Sequence, residues 1–252
     1  MPVTFPNESA AYRTARNRLL NQEIELRRTM ERVAQARRGL PPGGLVPQDY
    51  EFDGLVDGRP GKVKLSELFA PGKPSLVIYH MMFPRYPTDP RPGVTHGETA
   101  KLAVTDQPCP SCTVFIDQID AAAPHVAQRV NFAVVAKTAL PNLLALARDR
   151  GWRHLRLLSS AANTFNRDYN VEDAEGHQAP LTSVFHKDAD GVRHFWSSEI
   201  GFAPADPGQD QRINGTLESL WNIFDLTPEG RDIDYREELQ YGDCCATTAP
   251  AA

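Results

Sequence analysis

Cys109-Pro110-Ser111-Cys112 constrains this chain more than any other stretch, because of what flanks it. Upstream, an unbroken apolar run over 75–83 has the length and composition of a buried strand. Downstream, residues 113–129 carry helix-forming residues, and a second apolar run follows at 130–136. Strand, loop, Cys-x-x-Cys, helix, strand is a parallel crossover unit, and in that setting two thiols three residues apart point to dithiol–disulfide chemistry. The thiolate is the attacking species in disulfide exchange, and a helix N-terminus favours an anion through its unsatisfied N–H groups and partial positive charge. Cys109, at or before the first turn, is therefore the candidate nucleophile. Cys112, one turn further in, is the candidate resolving thiol and is expected to be the more buried. Pro110 suits a first helical position, where no N–H is needed, and Ser111 adds a small polar group without charge.

A Cys-x-x-Cys pair can also be half of a metal site. Cys109, Cys112, His80 and His96 are the alternative ligand set, with soft thiolates suited to Cu(I) or Zn. A scaffold used only for binding is the third possibility. The redox reading itself calls for no cofactor.

At 252 residues the chain can bury one substantial core with additions. A formal net charge of −5 gives no electrostatic case for nucleic acid or an anionic membrane as partner. Four cysteines are too few for a disulfide-stapled scaffold. No run approaches the ~20 apolar residues of a membrane span, and no secretory signal is visible, so a cytoplasmic location is expected.

Residues 1–44 form an N-terminal helical extension and linker. The helix is expected over 9–38, capped by Asn7 or Ser9, with Tyr12, Ala15, Leu19, Leu26, Met30 and Val33 close to a seven-residue repeat. That stripe must lie on the domain or pair with a second copy as a homodimer. The main domain is expected over 45–231 and a flexible tail over 232–252, which carries the vicinal pair Cys244 and Cys245. Residues 57–61 are expected as a turn, strands at 154–158 and in a hairpin at 182–186 and 192–196, and further helices at 141–150 and 215–224.

The insertion 84–108 is proline-rich and too long for an ordinary connection. It must arch near the cysteines, as a solvated excursion or as a lid that binds partners. His96 and Glu98 are its candidate polar residues.

Several stretches together resemble a thioredoxin-like family of unknown function regarded as dithiol–disulfide oxidoreductases. They lie at 50–54, 65–69, 79–83, 109–112, 120–124, 151–152, 158–160, 165–166, 183–185 and 226–231. The resemblance implies an α/β fold, a thioredoxin-like three-layer sandwich with helices on a central mixed sheet. It implies that Cys109 and Cys112 are the family's cysteine pair, exchanging with protein or small-molecule disulfides and thiols. It names no substrate. The segment between Phe83 and Cys109 is longer here than in the family pattern, and Cys244-Cys245 lies outside that pattern. Such a site has a cis-proline facing the cysteines. Pro180 has a suitable spacing, with an ordinary trans proline as its alternative, and Thr182 takes that place in a peroxiredoxin-like layout. Tyr79 and His80 stand late in the first core strand, where strand alternation lets only one of them face the cysteines.

Overall fold

The computed structural model describes residues 3–231 and 234–240. The chain divides into two compact units, 1–43 and 44–252. The first is helix α1 (Ala10–Arg38), started by Ser9, whose hydroxyl accepts the Tyr12 N–H at 3.1 Å. None of its residues is buried. Tyr12, Leu19, Leu26, Met30 and Val33 are all exposed, whereas the seven-residue repeat calls for cover.

The second unit is built on a seven-stranded mixed sheet in the order β2-β1-β5-β4-β3-β6-β7. Its strands are β1 (Glu51–Val56), β2 (Arg59–Lys64), β3 (Ser75–Met81), β4 (Asn131–Ala136), β5 (Arg156–Ser159), β6 (Leu181–Asp188) and β7 (Gly191–Ser197). Strands β3, β4 and β5 run parallel, joined through α2 (Pro110–Asp120) with the short α3 (Ala123–Val126), and through α4 (Leu140–Arg150). Strand β6 lies antiparallel to β3 and turns into β7, and the β1–β2 hairpin closes the far edge. This is the thioredoxin-like arrangement.

The central strands are buried on both faces, as a parallel core requires. Along β3, Tyr79 and Met81 face one side with Val134 and Ala136 of β4, under Phe115 and Ile116 of α2 and Leu143 and Leu146 of α4. Leu76 and Ile78 face the other side with Val135, Leu158 and Phe185, under Phe165 of the single-turn α5 (Phe165–Asp168) and Leu65 and Leu68. Each fully buried Phe or Leu contributes about 1.5–3 kcal/mol. The cysteines sit in the first of these two layers.

Three expected elements differ. The helix after the cysteines does not run to residue 129; α2 ends at Asp120, because Pro124 has no N–H for the next helical bond and its ring collides with the carbonyl four residues back. The turn expected over 57–61 is only Asp57-Gly58, both with positive φ, and β2 starts at Arg59. Pro60 is tolerated there because β2 is an edge strand. The last helix is shorter than 215–224: Gly215–Leu217 is a tight 3₁₀ turn, and α6 covers Ser219–Phe224. Among the described residues no helix is long and apolar enough to cross a membrane.

Candidate redox site at the N-terminus of helix α2

Cys109 is the N-cap of α2 and Pro110 its first residue. The Cys109 N–H donates to Met82 O at 3.0 Å, which ties the helix start to the end of β3. Its carbonyl accepts from the Thr113 N–H at 3.0 Å and the Thr113 hydroxyl at 2.9 Å. Both cysteines are free thiols and both are buried, Cys109 4% and Cys112 2% exposed.

Their acidities are driven apart. The Cys112 thiol hydrogen-bonds the Cys109 sulfur and lowers its pKa to about 6; burial opposes this, while the Cys112 backbone N–H and the Arg91 charge add to it. Cys112 moves the opposite way, well above the usual thiol range, because it donates to Cys109, is buried, and lies beside that negative charge. The two thiols are thereby set apart, Cys109 the more acidic and Cys112 the less acidic of the pair.

Arg91 comes from the insertion. Its Nη2 lies 3.6 Å from Cys109 Sγ, and its Nη1 donates to Ser111 Oγ at 2.7 Å. Asp89 fixes the guanidinium through Nε at 2.9 Å and Nη2 at 2.6 Å. Burial disfavours the Asp89 carboxylate, but the Arg91 hydrogen bonds and charge prevail and hold its pKa at about 2. Arg85 also pairs with Asp89 at 2.9 Å and donates to the Arg91 and Pro92 carbonyls. Ser111 Oγ in turn donates to Glu237 Oε2 at 2.7 Å.

The insertion is thus a tied strap. Gln107 holds the Val94 N–H at 2.7 Å, and Asp149 of α4 accepts from the Glu98 and Thr99 N–H groups at 3.0 and 2.8 Å. Gly97 adopts a positive φ there, and a Cβ would collide with the Asp149 carboxylate. Beneath the strap a cavity of about 400 Å³ is lined by Tyr79, Tyr86, Arg91, both cysteines and Glu218, among others. Burial raises the pKa of Glu218, against a hydrogen bond from Asn214 that lowers it.

The structure sorts the remaining expected residues. Tyr79 faces the cysteines, hydrogen-bonds Cys112, and packs its ring 4.5 Å from Phe115. His80 points through the sheet to Ser183 Oγ at 3.0 Å and stacks on Phe165 at 5.3 Å, so it is not part of the site. Pro180 lines the cavity but is trans; among the described residues the one cis peptide bond is Phe83–Pro84. Thr182 lies opposite Tyr79 in the β3–β6 register, buried, with its hydroxyl on Asn214 Oδ1 at 3.3 Å.

The alternative metal set is not assembled. His80 is on the wrong sheet face, and His96 lines a separate cavity with Asp149 and Arg150. Among the described residues the one grouping compact enough for a metal is Asp173, Glu175 and His177, which shares no member with that set. Glu98 forms an exposed pair with Lys101. Cys244 and Cys245 lie outside the described residues. Arg91, Asp89, Glu218 and Glu237 were not singled out from the sequence. Asp89-Pro90-Arg91 carries opposite charges within the insertion, and that was the available signal.

No curated protein matches the chain. Among solved structures it is similar to a reduced 2-Cys peroxiredoxin of Plasmodium vivax, with 17% identity, 72% of this chain and 97% of that chain covered, and a TM-score of 0.42. It is also similar to peroxidoxin BcpB of Mycobacterium tuberculosis (17% identity, 62% and 86% covered, TM-score 0.38). A third is the exposed lipoprotein thioredoxin of Streptococcus pneumoniae (15% identity, 68% and 98% covered, TM-score 0.38). Likeness this remote says nothing of chemistry. Sequence similarity along nearly the whole chain is more direct: residues 2–244 match the family described as bacterial protein of unknown function (DUF899), and the chain belongs to that family.

Proposed function

We propose that this protein is a thiol–disulfide oxidoreductase. One observation carries the reading: Cys109 sits at the positive end of an 11-residue helix with Arg91 against its sulfur, and a second, more deeply buried thiol, Cys112, lies one turn further in, where burial and its hydrogen bond to Cys109 raise its pKa. In this reading the Cys109 thiolate attacks a substrate disulfide, and one substrate sulfur leaves as a thiolate. Cys112 then loses its proton and attacks the Cys109 sulfur of the mixed disulfide. The second substrate sulfur leaves, and Cys109–Cys112 is the oxidised product. The reverse sequence donates a disulfide.

Stabilising the Cys109 thiolate stabilises the reduced pair. The couple is therefore expected above the roughly −270 mV of a thioredoxin-type reductant, toward the roughly −120 mV of a strong dithiol oxidant. The strap and the low exposure of Cys109 favour small or extended disulfides over a flat protein surface. Self-association of two chains through the exposed stripe of α1 is a separate proposal, independent of the exchange chemistry.

The test is alkylation of the reduced protein, resolved by peptide, across pH. Cys109 should label with a midpoint of about 6 and Cys112 should lag it at neutral pH. Arg91→Ala should raise the Cys109 midpoint by about one pH unit, the scale of a nearby charge. Equal, slow labelling of both cysteines, with no redox couple measurable between them, would leave a binding module instead.

A further inference from the structure

The described segment 234–240 brings to the cysteines a carboxylate that disulfide exchange does not use. The Glu237 side chain is 8% exposed, and a buried carboxylate persists only where it is paired. Its Oε2 accepts from Ser111 Oγ at 2.7 Å and lies 3.4 Å from Arg91 Nη1, and its backbone carbonyl is 3.4 Å from the same nitrogen. Gln240 secures the segment to the strap through Gly93 O at 2.7 Å. Arg91 therefore has a carboxylate at one nitrogen and the reactive Cys109 sulfur at the other.

The receiving groups do not depend on Glu237 for their position. Arg91 is aligned by Asp89 through its backbone N–H, Nε and Nη2, and Arg85 clasps the Arg91 carbonyl. Ser111 is fixed in the first turn of α2, between the two cysteines, where the helix end favours an anion. If Glu237 leaves, a preorganised cation and hydroxyl remain beside the nucleophile.

On the oxidoreductase reading given above, we propose that Arg91 and Ser111 form a carboxylate-binding subsite next to Cys109. Glu237 occupies this subsite in the resting protein, and a low-molecular-weight disulfide carrying a carboxylate near its S–S bond displaces it. Exchange of one carboxylate for another leaves the charge of the subsite unchanged. The bound disulfide then has a sulfur beside Cys109. The Cys109 thiolate forms a bond to that sulfur as the substrate S–S bond breaks and the distal half leaves as a thiolate. Cys112 then gives up its proton, bonds to Cys109 and releases the second half. Two electrons pass from the cysteine pair to the disulfide, which ends as two carboxylate-bearing thiols.

The experiment mixes the reduced full chain in a single turnover with dithiodipropionate, with uncharged hydroxyethyl disulfide or with cationic cystamine. Oxidation of Cys109–Cys112 is followed by quenching and peptide-resolved alkylation. The wild-type protein should prefer dithiodipropionate to hydroxyethyl disulfide by about tenfold, the scale of one charge-assisted hydrogen-bond pair. Glu237→Gln should raise the rate with dithiodipropionate about fivefold and change hydroxyethyl disulfide less than about twofold. Ser111→Ala, a small change in the first turn, should remove most of the preference. Arg91→Lys should do the same while keeping a positive charge near Cys109, because an ammonium cannot serve Asp89, Ser111 and a carboxylate together. The subsite is overturned if Glu237→Gln accelerates all three disulfides alike, or changes none while hydroxyethyl disulfide still reacts. If no disulfide oxidises the pair in any variant, the oxidoreductase reading itself has failed.

Discussion

The Tyr79 hydroxyl hydrogen-bonds Cys112, so in the exchange reading the buried tyrosine acts on the thiol assigned the resolution step. That contact lowers the pKa of Cys112, against the neighbouring Cys109 charge and the burial that raise it. Tyr79→Phe keeps the ring on Phe115 and deletes only the hydroxyl. The expected outcome is an unchanged first attack by Cys109 and a resolution step slowed about tenfold, the size of one lost hydrogen bond to a charged transition state. Mixed disulfides on Cys109 should then accumulate, visible by intact mass after acid quenching. A variant that resolves as fast as wild type but attacks more slowly would reverse this assignment.

The neighbouring His80 makes a separate prediction, for stability and not for exchange. It is fully buried, stacked on Phe165 and hydrogen-bonded to Ser183, and burial pulls its pKa from 6.5 down to about 3, helped by the nearby His194. Between those values the unfolded chain binds a proton that the folded chain refuses. Stability from this group is therefore complete above about pH 6.5 and is lost as pH falls toward 3. The other groups facing it are Ser183, Ser197 through Ser183, and His194 through Ser197. Urea unfolding of His80→Gln across this range should show a shallower loss of stability with acid than wild type. Identical slopes would mean that His80 does not stay neutral.

These two adjacent residues also show what a sequence can disclose. Alternation along β3 already implies that Tyr79 and His80 face opposite ways, and Ser9 as a cap and Pro110 at a first helical position are local patterns. They survive folding because each is fixed by its immediate neighbours in the chain. The break before Pro124 is equally local, but helix-forming residues continue on both sides of the proline. Arg91 and Glu237 belong to another class. They lie 146 residues apart, and nothing in the spacing of either signals the other. Their meeting depends on the path of the strap and on where 234–240 returns. His96 and Glu98 stood out in the insertion by residue type, but the strap carries them to Asp149 and into solvent, while Arg91 reaches the sulfur. Pro180 had the right spacing and reaches the cavity, but in the trans form.

Helix α1 leaves Leu19, Leu26 and Met30 between 46% and 60% exposed, on one stripe of a 29-residue helix. A second copy of the same stripe is the cover that a seven-residue repeat fits. The full chain should sediment as a dimer, and Leu26→Glu should shift it to monomer by placing a charge in the seam. Residues 44–252, as a separate compact unit, should remain folded and monomeric without 1–43. A monomeric full chain removes the self-association proposal and leaves the redox reading untouched.

The strap makes the final prediction, and Arg91 decides how it must be tested. Deleting the strap would open the cavity and also remove the cation from Cys109, so the two effects could not be separated. Asp149 avoids this, because it lies on α4 and holds the far half of the strap through the Glu98 and Thr99 N–H groups and the Thr99 hydroxyl. Asp149→Ala cuts those ties and leaves Asp89, Arg91 and Cys109 in contact. The Cys109 alkylation midpoint should stay at about 6, which would show that the thiolate is intact. Reaction with a bulky protein disulfide should then speed up about fivefold more than reaction with hydroxyethyl disulfide, because only the larger substrate needs the strap to move aside. Equal acceleration of both, or of neither, would show that the strap tunes Cys109 without selecting what reaches it.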